Sequence, residues 1–128
     1  MFPDQFPEML SEFIRRYAPS LSAVEMLVFF AGKPGSMWTF EELIGNFKTR
    51  GFSEAVVSEH LKQFCQAGLL REDAGRFSYR AENAQLAEAV ELLVAAFNER
   101  PVTLIRTIYA LADDPLRSFS DAFRFKKE

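Results

Sequence analysis

One cysteine and one histidine in 128 residues leave this chain little material for redox or metal chemistry. A single thiol forms no internal disulfide, which fits a reducing intracellular setting. Structural and sensory metal sites gather three or four thiolates or imidazoles on one ion, a set that Cys65 and His60 do not supply. Neither a metal nor another cofactor is expected. Long apolar runs are also missing: the longest, Met26 to Ala31 and Leu92 to Phe97, fall far short of the ~20 residues that span a bilayer. The opening MFPDQFPEML lacks the basic-then-apolar pattern of a signal peptide, so a cytoplasmic protein with no membrane partner is expected. There is no phosphate-binding glycine loop, no dinucleotide glycine pattern and no nucleophile elbow. Cys65 and His60, five apart, would point about 140° apart on a helix and make a poor nucleophile–base pair. The sequence therefore predicts no enzyme. Strong charge of one sign is absent too, since 15 basic residues face 18 acidic ones.

What the chain does have is bulk. Fourteen Phe, one Trp and three Tyr in a composition that is 48% hydrophobic predict one domain over 1–128 with an aromatic core. From Pro7, apolar Met9, Leu10, Phe13, Ile14 and Tyr17 recur at helical spacing up to Pro19. After Ser20 or Ser22 as cap, Ala23 to Ala31 is apolar nearly all round and must be buried. Met37 and Trp38 read as a short extended piece. Thr39 with Glu42 forms a capping box for a helix to about Arg50. A tight connection at Gly51-Phe52 leads to Ser53, which caps a helix running to Ala67 with Gly68 as its left-handed stop. The alternation in Leu69 to Arg80 around Gly75 predicts a β-hairpin. Residues 82–98 form a long helix with the stripe Leu86, Val90, Leu93, Val94 and Phe97, Pro101 opens another through Ala112, and Asp114-Pro115 opens a last one.

The run Ser53-Glu-Ala-Val-Val57-Ser58-Glu-His60-Leu61-Lys62, closing on Ala67-Gly68-Leu69-Leu70, resembles the recognition helix and first wing strand of ArsR-type bacterial repressors. Gly75-Arg76-Phe77-Ser78-Tyr79-Arg80 resembles the returning wing strand, and the pairing of helices outside the wing is similar to MarR-type regulators too. The resemblance covers residues 20–80. It implies a mainly α fold with a small β-hairpin wing: a winged helix-turn-helix core, an N-terminal arm and helix over 1–19, helices over 81–112, and an amphipathic C-terminal helix over 113–128. By the same resemblance, the chain is a small bacterial transcriptional regulator that binds duplex DNA as a homodimer. Ser53, Glu54, Val56, Ser58, Glu59, His60 and Lys62 would then face the major groove, and Lys48, Arg50, Arg71, Arg76 and Arg80 the phosphates.

Charge chemistry supplies the alternative. Repressors of this type usually carry Gln, Arg or another donor where this chain has Glu54 and Glu59. A carboxylate facing DNA repels phosphate and accepts usefully only from cytosine N4. A winged-helix adaptor that binds a protein instead, through the same surface or through its Phe-rich C-terminal helix, is the second expectation. The flanking helices carry broad apolar faces, so Phe13, Ile14, Leu86, Val90, Leu93, Phe97, Leu116, Phe119 and Phe123 are assigned to a dimer or partner interface. Cys65 is expected as a buried thiol and His60 as a partly exposed residue.

Overall fold

The structure, a computed structural model, describes residues 6–112. The expected last helix, with Leu116, Phe119, Phe123 and its basic end, lies outside those residues. The described part is mainly helical with one small antiparallel sheet. Its elements run α1 Glu8–Tyr17, α2 Leu21–Ala31, β1 Trp38–Thr39, α3 Phe40–Lys48, α4 Glu54–Gln66, β2 Leu70–Asp73, β3 Arg76–Tyr79, α5 Ala84–Glu99 and α6 Pro101–Ala112.

Local chemistry sets most of these bounds. Ser20 accepts from the Ala23 amide at the start of α2, and the Thr39–Glu42 capping box closes in both directions at the start of α3. The stop of α4 is a Schellman motif: the Leu69 amide donates to the Phe64 carbonyl at 2.9 Å and the Gly68 amide to that of Cys65 at 3.2 Å. Gly68 takes φ of 81°, and a Cβ there would lie 2.9 Å from the Cβ of Glu82, whose amide bonds the Gly68 carbonyl. Strand β3 is central, with Trp38 and Thr39 of β1 facing Phe77 and Arg76, and β2 pairing from Leu70–Tyr79 to Asp73–Arg76.

Ala74 and Gly75, between β2 and β3, both have positive φ, 53° and 79°, as in the two-residue turns that match hairpin twist. For alanine that conformation costs about 1 kcal/mol, which asparagine largely avoids. Ala74→Asn is therefore expected to stabilise the protein by roughly 0.5–1 kcal/mol. Chemical denaturation that shows a loss instead would mean the turn tolerates Ala74 for another reason.

The core runs through every helix. Helix α2 buries Ala23, Val24, Met26, Leu27, Phe29 and Phe30 and packs against α5 and β3. Helix α5 is covered by α2 on one side and by α1 and α6 on another. That arrangement corrects the interface assignment. Phe13, Ile14, Val90 and Leu93 are at most 5% exposed within the single chain, and Leu86 and Phe97 are half-buried against the same core. Faces broad enough for a second copy are filled by the chain's own helices. Among the described residues no helix is long and apolar enough to cross a membrane.

Candidate functional site

Val57, Leu61 and Phe64 fall on one side of α4 and are buried, which fixes the opposite side toward solvent. Ser53 caps the helix by accepting from the Val56 amide at 3.2 Å, so its hydroxyl is already engaged there. Glu54, Ser58, Glu59, Lys62 and Gln63 are exposed, and Gln63 donates to Glu59 at 3.3 Å. Val56 is half-buried at the edge of this face.

Directly opposed residues of an antiparallel pair share a sheet face. Register therefore places Arg71, Asp73, Arg76 and Ser78 on one face, with Arg80 continuing the alternation, and Leu70, Glu72, Phe77 and Tyr79 on the other. The second face meets the helices. An open cleft of about 300 Å3 between α4 and the hairpin is lined by Ser58, Lys62, Cys65, Glu72 and Phe77 among others. The structure thus brings Ser58 and Lys62 to Glu72 and Phe77, whereas Arg71, Arg76 and Arg80 stand exposed on the face turned from α4. Of these, Arg76 is nearest the hairpin tip. Cys65 is half-buried, and burial together with the charge of Glu72 pushes its thiol up from the ordinary value. A thiol in that state is a poor nucleophile.

His60 does not join the exposed face, which corrects its assignment as a groove-facing residue. Its ring stacks on Phe64 and its Nε2 lies 2.9 Å from Ser22 Oγ. Ser22 Oγ is 3.2 Å from Ser20 Oγ, which accepts from the Ala23 amide at the N-terminus of α2. His60 therefore positions α4 against α2. Sequence reading missed Ser22 as its partner, because nothing local links residues 38 apart.

Burial lowers the His60 pKa from 6.5, against the opposing pull of Gln63 and Glu59. The unfolded chain then takes up its proton at higher pH than the folded one, so stability present above about pH 6.5 is lost as pH falls through the lower folded value. The urea midpoint is expected to drop between about pH 7.5 and pH 5.5, and His60→Gln is expected to flatten that drop. Equal slopes in both proteins would remove His60 as its source.

Lys48 is exposed at the end of α3. Arg50, also exposed, lies over the rings of Phe29 and Phe47 at 5.8 and 5.4 Å. Lys33, which the sequence did not single out, covers Phe29 and Trp38 at 5.2 and 5.6 Å. Both cations roof the aromatic cluster Phe29–Trp38–Phe47–Phe52, whose ring centroids are 5.0 to 5.2 Å apart. This cluster holds the turn between α3 and α4, where Phe47 and Phe52 stack.

Among the described residues no group of three or more His, Cys, Asp or Glu converges as a metal site. The groove between α1 and α5, about 640 Å3, is open and bordered by Glu12, Arg16, Glu82 and Glu88. No protein-family profile, curated protein or solved structure matches the chain.

Proposed function

We propose that this chain is a winged helix-turn-helix protein that binds duplex DNA through α4 and the hairpin and acts as a transcriptional regulator without a metal effector. The element order α2, β1, α3, α4, β2, β3 with the β1–β3–β2 sheet supports the fold assignment. One observation carries the function: α4 leaves its polar side uncovered beside a hairpin whose Arg71, Arg76 and Arg80 are also exposed, and the two elements meet at Ser58, Lys62 and Glu72. Over residues 48–80 six basic side chains face four acidic ones, a local excess of positive charge in a chain of net charge −3. Lys48, Lys62, Arg71, Arg76 and Arg80 are exposed and free of the core, as phosphate contacts require. Because Phe13, Ile14, Val90 and Leu93 are consumed by the chain's own core, the reading is made for one chain rather than for a dimer.

Amide shifts of the labelled protein on titration with a short random duplex test this footprint. Shifts are expected over 53–62 and 70–80. Shifts confined to α1, α5 and α6, or none at all, would contradict it.

The adaptor reading has an observation of its own. Glu54, Glu59 and Glu72 are exposed on α4 and on the hairpin face that meets it. They favour a basic protein surface over phosphate. Under that reading the duplex leaves these amides unmoved and a Lys/Arg-rich partner shifts them.

A further inference from the structure

Helix α6 has two apolar faces and only one of them is used. Leu104 and Ile108 are buried against α1 and α5. Val102, Ile105 and Tyr109, spaced three and four apart and roughly a third of a turn round the helix, are 63%, 36% and 57% exposed. Three of the five large hydrophobic residues exposed among the described residues thus share one stripe on one helix. Scattered singly they would be ordinary; aligned, they form a face that water covers poorly.

We propose that this stripe is the docking face for the chain's own C-terminal segment, which folds back antiparallel to α6. The sequence beyond Ala112 carries the argument. Pro115 has no amide to donate to the Leu111 carbonyl and disfavours helical backbone at Asp114, so the sequence opposes a straight continuation of α6. The same two residue types suit a helix start, Asp as cap and Pro in first position. The segment they open carries Leu116, Phe119 and Phe123, again spaced three and four.

In an antiparallel helical hairpin, residues equally distant from the turn face each other. About a turn at Asp113-Asp114, the positions that match Leu116, Phe119 and Phe123 are Leu111, Ile108 and Leu104, each two or three residues, less than one helical turn, from Tyr109, Ile105 and Val102. A second copy competes poorly for the same face, because a two-residue connection holds the segment at an effective concentration of the order of millimolar.

Cross-linking tests the proposal with the apolar residues left intact. In full-length protein carrying Cys65→Ser, Arg106→Cys is combined with Ser120→Cys, whose side chains would flank the seam on the same side. Arg106→Cys with Ser118→Cys, on the far side of the segment, is the comparison. With a bis-maleimide spanning about 8–10 Å, the separation of packed helix axes, the 106/120 pair should form an intrachain link at least tenfold faster than the 106/118 pair. Equal rates would mean the segment is not docked, and links between chains would give the stripe to a second copy; either overturns the proposal. Phe119→Asp in the otherwise native chain, checked for retained helicity, is expected to raise binding of an apolar fluorescent dye severalfold. No rise would overturn it as well.

Discussion

Arg76→Glu combined with Arg80→Glu is expected to lower affinity for duplex DNA by on the order of a hundredfold at about 0.1 M salt, while the unfolding midpoint stays within error. Both side chains are exposed and neither belongs to the core, so reversing them costs little in folding. Arg76 opens the central strand and Arg80 follows its last residue, four positions on, so the strand alternation gives them one direction, away from the face that packs on α4. Each reversal removes a cation from the phosphates and adds a repulsion. The slope of log affinity against log salt should fall by about one for each phosphate no longer neutralised. Unchanged affinity would exclude the hairpin from the interface. A large loss of stability would show that the arginines hold the sheet instead.

Phe47→Ala is expected to cost about 3–5 kcal/mol in chemical denaturation. Phe47 is 0% exposed, stacks on Phe52 at 5.2 Å and meets Phe29 edge-on at 5.0 Å, with Arg50 over its ring. Truncation leaves a cavity where the α3–α4 turn is fastened, and it also removes aromatic pairings that add about 0.5–1.5 kcal/mol each. Against a total stability of about 5–15 kcal/mol, that is a large fraction. Arg50→Ala in the same place should cost no more than about 1 kcal/mol, because an exposed cation over a ring contributes little. A Phe47→Ala cost below about 1 kcal/mol would mean that the turn holds without its aromatic clamp.

Elements with chemical punctuation were readable in the sequence. Ser20, the Thr39–Glu42 box, Ser53 and Gly68 each satisfy groups at a helix end, and the structure uses each in that way. Side-chain oxygens three residues from the amide they accept are local, so one dimension is enough to see them. The start of α5 illustrates the limit: Asn83, not Glu82, accepts from the Leu86 amide at 2.9 Å, and both residue types suit a first turn.

Non-local facts were not readable. The β1–β3 pairing joins Trp38 to Phe77 across two helices, and no spacing announces it. A broad apolar stripe looks the same whether the chain or a second copy covers it, which is why Val90 and Leu93 were assigned to an interface and proved to be core. His60 follows one residue before buried Leu61, at the boundary of the helix face, where a small rotation decides between solvent and Ser22. Arg50 was legible as a basic residue beside α4. Its position over Phe29 and Phe47 depends on how α2 and α3 pack, which sequence spacing does not encode.

Fluorescence anisotropy of the native chain with a labelled random duplex, taken at several salt concentrations, is the most direct test of the DNA reading. If α4 and the hairpin grip phosphates, binding should be evident near 50 mM salt and weaken by roughly tenfold or more toward about 200 mM, as released counterions require. An absence of binding near 50 mM salt, or an affinity indifferent to salt, would contradict it and leave the acidic rim of Glu54, Glu59 and Glu72 as the surface to explain.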